Sequence, residues 1–574
     1  MVARSTVQIA KAKQEERERL ISEMESLLGL QSEHPEDEEV LNTRPQEIVW
    51  HLKGRKIGWT VERVMSVYIR AACAAHRKTN CLTEVLFKEA LEQAKSHDRE
   101  YATFGKAHGA FWGLPSSFKD TYNIKGVDSS LGCSPYCFDP ILDAEDEGGL
   151  VKVFRAGGGI PFCKTNIPQT LLAFECRNPV FGQTSNPGAS DRTCGGSSGG
   201  EAALVALRGS PIGWGSDIGG SLRIPAHYSG ICGLKPVVGR WPQNGSRSSV
   251  KGFEGIKGVV GPMGRTVDDL IFSTRSVFNT IHEPSTELPG EQLLPIPWRE
   301  VELPKKLKVG YWVDDHAIKA SPACARAVLE SVQALKKAGH EVIAFDPPDV
   351  PKALQIFAGL TSSDGYKTLL SNIGSDPMEP SMNLVIKPVK LPGWILRILV
   401  WLIAKVTGDQ LFADVLSNCR QKSTQEFLQY THRRNVYIDK FRRAAWDDNK
   451  FDILLTPTQA VPALKHNQTE WLSPLSIATI LFNVVDSTVG VLPVTRVSKD
   501  LDTLPSDWLE GSTGSKLLQE RTYIGKPGKT EPAYVPEQMH GLPVGVQVVG
   551  KAWEEEKVLK VMKLLEGLVG YETR

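Results

Sequence analysis

Leu307-Lys-Val-Gly-Tyr-Trp312, a helical pattern over Ala323–Ala338 and Glu341-Val-Ile-Ala-Phe345 read as strand, helix and strand. Gly339, directly after the helix, is its stop signal. The same alternation runs upstream through a glycine-rich stretch, Phe104–His282, where the helical run Leu150–Ala156 leads into Ile160-Pro-Phe-Cys163. Downstream, Leu542-Pro-Val-Gly-Val-Gln-Val-Val549 reads as a further strand, followed by a helix through Leu565. Short apolar runs alternating with helices imply an α/β protein built on a large mixed sheet.

Residues 5 to 28 carry helical periodicity through Ile9, Leu20, Ile21, Met24, Leu27 and Leu28. An acidic break follows at Ser32–Glu39, and a second helical stretch is expected from Val61 to His97. Residues 1–100 therefore read as a helical N-terminal extension on a body of residues 101–574. Within that body the glycine-rich core spans 104–282 and a Pro-rich linker spans 283–306. An α/β and apolar cap segment covers 307–450, and 451–574 return to the core.

With 67 basic and 66 acidic residues the net charge is +1, so no basic field exists for nucleic acid. The first residues lack the apolar core of a signal peptide, which points to a cytoplasmic protein whose ten cysteines are thiols. Cys133 and Cys137 lack a second pair or accompanying histidines, and neither metal nor cofactor is expected.

The chemistry lies in two serine-bearing turns and one lysine. The turns are Cys194-Gly-Gly-Ser-Ser-Gly-Gly200 and Gly215-Ser-Asp-Ile-Gly-Gly-Ser221-Leu-Arg223, and the lysine sits in Ser117-Phe-Lys119-Asp120. Both Ser197 and Ser198 satisfy the spelling of an α/β-hydrolase nucleophile elbow, but the preceding Pro187–Thr193 reads as loop, not strand. Ser116-Ser-Phe-Lys119 spells the S-x-x-K of penicillin-binding proteins, but Lys164-Thr165 is followed by Asn166 where that pattern needs glycine. No Gly-Lys-Ser/Thr closes a phosphate loop. A Ser/Ser/Lys site is the most economical reading. Ser221 is the expected nucleophile, and the amides of Ile218, Gly219, Gly220 and Ser221 are the expected oxyanion hole. Lys119 is the expected base, which requires lowering its pKa by burial at a cost of about 4–5 kcal/mol. Ser197 is the expected bridge between them. Ser198 supports the turn, and Asp217 with Arg223 reads as an ion pair framing the loop.

Together with Gly113–Lys119, Lys164-Thr-Asn-Ile-Pro168, Gly230-Ile-Cys-Gly-Leu-Lys-Pro236, Gly261-Pro-Met-Gly-Arg265 and Gly541–Gln547, these motifs resemble the amidase signature family over about residues 100 to 570. The resemblance implies a large mixed sheet covered by helices, a catalytic triad at Lys119, Ser197 and Ser221, and a cis peptide at Ser197. Within the family the chain is most similar to fatty-acid amide hydrolases and fungal acetamidases. A carboxylic amide is then the expected substrate, with a fatty-acid amide preferred and a short aliphatic amide as the alternative. A partner-dependent glutamine-amidase subunit is a third reading. The apolar run Leu391–Ala404, with Trp394, Trp401 and flanking Lys387, Lys390, Arg397 and Lys405, suits a peripheral helix in a membrane interface. A buried helix, or one covered by a homodimer partner, is the competing reading.

Overall fold

The computed structural model describes residues 5–283, 285–288, 290–525 and 530–571. Its centre is an 11-stranded sheet. The first strands are β1 (Leu82–Val85), β2 (Pro115–Lys119) and β3 (Ile160–Thr165). A two-stranded hairpin, β4 (Arg177–Asn178) with β5 (Gly182–Gln183), stands apart from the sheet. Strands β6 (Gly213–Asp217), β7 (Cys232–Lys235) and β8 (Val259–Gly264) complete the glycine-rich half. The other half is β9 (Lys308–Tyr311), β10 (Glu341–Ala344), β11 (Ile453–Pro457), β12 (Thr488–Arg496) and β13 (Pro543–Gly550). The spatial order is β1-β3-β2-β6-β8-β7-β12-β13-β11-β9-β10.

Pairing is mixed. β2 runs parallel to β3 and β6, β9 runs parallel to β10 and β11, and the central pairs are antiparallel. The expected strand–helix–strand unit is β9, the helix Pro322–Lys337 and β10, with Val309 opposite Val342. That helix starts at Ser321, whose side chain accepts the Cys324 amide, and buries Ala323, Ala327, Val328, Val332 and Leu335 on one face. β13 is buried along its whole length, which explains why its sequence is nearly all apolar. The helix Glu555–Val569 follows it.

The N-terminal region departs from expectation. The stretch Val61–His97 is not one helical run: the helix Val61–Thr79 stops at Asn80, in the left-handed region at φ 55°, and the next helix begins at Phe87. Between them β1 pairs antiparallel with β3, placing Leu82 opposite Thr165. The extension thus supplies an edge strand to the sheet. The helix Thr6–Leu28 is anchored beside it, where Lys13 meets Glu84 at 2.8 Å and Asp128 at 3.1 Å. The linker 283–306 forms no helix or strand among its described residues, and Pro284 and Pro289 lie outside them.

In the cap, three helices follow one another: Asn383–Lys390, Gly393–Leu402 and Gln410–Asn418. The middle one buries Leu396 alone and leaves Trp394 65% and Trp401 58% exposed. The reading of 391–404 as a helix buried in the core is therefore corrected: its apolar side faces outward from this chain. Among the described residues no helix is long and apolar enough to cross a membrane.

Candidate active site

Lys119 ends β2, and Ser216 and Asp217 end the parallel neighbour β6, so both strands deliver their functional groups at their carboxyl ends. Ser197 and Ser198 precede the helix Gly199–Ala206, and Ser221 precedes the helix Arg223–Ser229. These turns bring the expected residues together. Lys119 Nζ lies 2.7 Å from Ser197 Oγ and 2.9 Å from Ser216 Oγ. The Gly196–Ser197 peptide is cis. The Ser198 amide donates to the Ser221 carbonyl at 3.1 Å, tying the two turns to each other. Ser198 Oγ turns instead to the backbone of Ser216.

Lys119 is fully buried, and that burial pulls its ammonium down from 10.5 to about 7. Asp217, Cys176 and Glu201 oppose the shift, in that order. The Asp217 carboxylate is already engaged. Arg223 reaches it through Nη2 at 2.9 Å and Nε at 3.1 Å, and Asn483 Nδ2 donates to it at 2.9 Å. Burial alone would raise the Asp217 carboxyl, but the Arg223 guanidinium holds it well below the usual carboxylate range. A neutral lysine amine keeps a lone pair with which to take a proton.

The Asp217–Arg223 pair frames the loop, as expected, and it has partners the sequence reading missed. Arg223 Nη1 also donates to Gln547 Oε1 at 2.9 Å and to the Thr479 carbonyl at 2.8 Å, while Nη2 donates to Asn483 Oδ1 at 2.6 Å. Strand β13 and the helix Ile477–Val484 thus hold the Ser221 turn from behind. Gly220 has φ +128°, and a Cβ there would lie 2.2 Å from Thr479 Oγ1, so only glycine fits.

One of the four amides expected to face an oxyanion has a protein acceptor. The Gly220 amide donates to Asp217 Oδ1 at 2.8 Å, so it is engaged in shaping the turn. The amides of Ile218, Gly219 and Ser221 have no protein acceptor among the described residues. Ser216 supplies the second hydroxyl on Lys119, a contact the sequence reading missed. The only sequence signal for it is its place one residue before Asp217.

Two cavities meet at Ser221. One, of about 520 Å³, is lined by Ser197, Ser216, Thr121 and the polar segment 246–249. The other, of about 150 Å³, is mainly apolar, with Phe174, Leu354, Val385, Phe412 and Leu416 among its walls. Among the described residues no cluster of His, Cys, Asp or Glu could hold a metal ion.

The amidase family model matches residues 63–559. Fatty acid amide hydrolase 1 of Caenorhabditis elegans is 34% identical over 511 residues, covering 88% of this chain and 85% of that protein. The acetamidase of Emericella nidulans is 31% identical over 524 residues, covering 89% and 86%. A solved fatty acid amide hydrolase superposes with a TM-score of 0.81 at 26% identity, over 100% of this chain and 92% of the other. Fold and relatives together define an amide hydrolase. The chain belongs to the amidase family.

Proposed function

We propose that this protein hydrolyses a carboxylic amide to acid and amine through an acyl-enzyme on Ser221, with Ser197 and Lys119 completing the triad. The observation that carries the reading is the buried Lys119 amine, 2.7 Å from Oγ of Ser197, which lines the same cavity as Ser221. Lys119 accepts the Ser197 hydroxyl proton as Ser197 accepts that of Ser221. The Ser221 oxygen attacks the carbonyl carbon, and the oxyanion receives the free amides of Ile218, Gly219 and Ser221. The proton then returns through Ser197 to the amide nitrogen, so the leaving group departs as a neutral amine. Water repeats the cycle on the acyl ester and releases the acid.

The preferred substrate is a fatty-acid amide such as an N-acylethanolamine. The apolar cavity suits an acyl chain. Its walls include Val385 and Phe412, from the helices on either side of the exposed Gly393–Leu402 helix. That helix would rest in a membrane interface, where its tryptophans and flanking lysines are at home. A short aliphatic amide is the second reading, favoured by the similarity to acetamidase. Intact-mass labelling with a fluorophosphonate tests the triad. One adduct is expected on the wild type and none on Ser221→Ala; no adduct on either folded protein would refute the reading. Turnover of a long-chain acyl ethanolamide should exceed that of an acetyl amide, and equal rates would overturn the lipid preference.

A further inference from the structure

Behind the lysine lies a carboxyl group that the proton relay does not use. Glu201 is on the helix Gly199–Ala206, one turn after Ser197, and is fully buried. The hydroxyls of Ser117 and Thr165 donate to its Oε2 at 2.6 Å and its Oε1 at 2.7 Å. Ser117 is on β2, two residues before Lys119 and on the same side of the strand. Thr165 is on β3, directly opposite Lys119. Gly213 of β6, opposite Ser117, completes the socket: a Cβ there would lie 2.2 Å from Glu201 Oε2. Three adjacent strands are thus shaped to admit this one side chain.

We propose that Glu201 is a positioning residue for the hydrolysis: it clamps the helix that follows Ser197 to the strands that carry Lys119, and so sets Nζ on Ser197 Oγ. The proposal rests on the Ser-Ser-Lys reading above. The socket also suits a neutral acid. Burial pushes the Glu201 carboxyl up to about 8, against the pull of Ser117, Thr165 and Lys119. A protonated carboxyl donates from one oxygen and accepts at the other, and a hydroxyl serves either role. Lys119 then has no free carboxylate beside it. The titratable groups facing this pair are Asp217 and Cys176 around Lys119, and Cys81, Cys163 and Tyr122 around Glu201. Asp217 is held by Arg223, and burial pushes the Cys81 thiol up to about 12 and Cys163 and Tyr122 well above their ordinary values.

Glu201→Gln and Glu201→Ala separate clamp from filler. Glutamine can bridge both hydroxyls, whereas alanine bridges neither and opens a space beside Lys119. A misplacement of about 1 Å at a reacting group costs about 100-fold. Glu201→Ala is therefore expected to lose about 100-fold in kcat with KM little changed. Its acid limb should move up by about one pH unit or more, because better solvation restores the lysine toward its ordinary value. Glu201→Gln should recover most of the lost kcat and hold the limb at the wild-type position. Ser117→Ala and Thr165→Val each remove one bridge with little loss of volume, and each should fall between wild type and Glu201→Ala. These two decide the matter if Glu201→Ala fails to fold. Wild-type kcat and acid limb in the Ser117 and Thr165 variants would overturn the clamp. So would a Glu201→Gln enzyme as impaired as Glu201→Ala. Fluorophosphonate labelling of wild-type Ser221 is read first, so a failure of the triad itself is seen separately.

Discussion

Lys13, in the N-terminal helix, and Lys119, at the end of β2, are 4% and 0% exposed. Lys13 Nζ has Glu84 at 2.8 Å, Glu16 at 2.8 Å and Asp128 at 3.1 Å. Burial would lower its ammonium, but Glu84 and the neighbouring carboxylates hold it well above the ordinary lysine range. Lys119 Nζ has two serine hydroxyls at hydrogen-bond distance instead, and burial draws it down to about 7. The two sites desolvate the same side chain and differ in whether a carboxylate is free to answer it. One lysine becomes a permanent cation that fastens the N-terminal helix to β1. The other is left able to take a proton.

The comparison can be broken from either end. Removing the proposed base, as Lys119→Ala, is expected to cost on the order of 10⁴–10⁶ in kcat, the scale seen when the base of a serine hydrolase is deleted. Steady-state turnover by the folded variant checks this. Ser216→Asp would give Lys119 the kind of neighbour Lys13 has, in place of the hydroxyl that now lies 2.9 Å from Nζ. A carboxylate there favours the charged amine, so activity at neutral pH should fall by about 10²–10⁴, the range of a general-base contribution. That loss should ease as the pH is raised. In the other direction, Lys13→Met leaves Glu84 and Asp128 buried without their cation. Loss of about 3–5 kcal/mol of stability is expected, read as a lower unfolding midpoint, with kcat per folded molecule little changed. The mildest effect belongs to the exposed cap helix. Trp394→Glu with Trp401→Glu should reduce co-sedimentation with phosphatidylserine vesicles by about tenfold while sparing turnover of a short, soluble amide. A loss of self-association instead would assign that face to a second copy of the chain.

How much of this was legible differs by element. The β9–helix–β10 unit and β13 were readable because each carries its own local pattern: a capped 3.6-residue period or an unbroken apolar run. β1 was not, because Leu82-Thr-Glu-Val85 is four residues long and its partner, Ile160–Thr165, is remote in sequence. Lys119, Ser197 and Ser221 stood out through glycine-rich surroundings and their resemblance to a family. Ser216 and Glu201 did not, since their importance comes from the register of β2 with β3 and β6, which no local pattern encodes. The engagement of the Gly220 amide by Asp217 belongs to the same class. A motif names which backbone is free to turn, and only the folded turn decides which amides remain available.

The most direct test of a neutral, carboxylate-free Lys119 is the pH dependence of the rate at which a fluorophosphonate labels Ser221. This isolates nucleophile activation from acyl-enzyme breakdown. A lysine can act as a base only when deprotonated. The labelling rate should therefore be flat above about pH 7 and fall close to tenfold per unit below it, with the bend near the lysine value of about 7. A rate that does not change between about pH 6 and 10, or one that still climbs toward about pH 10 as an ordinary lysine would, would contradict the account.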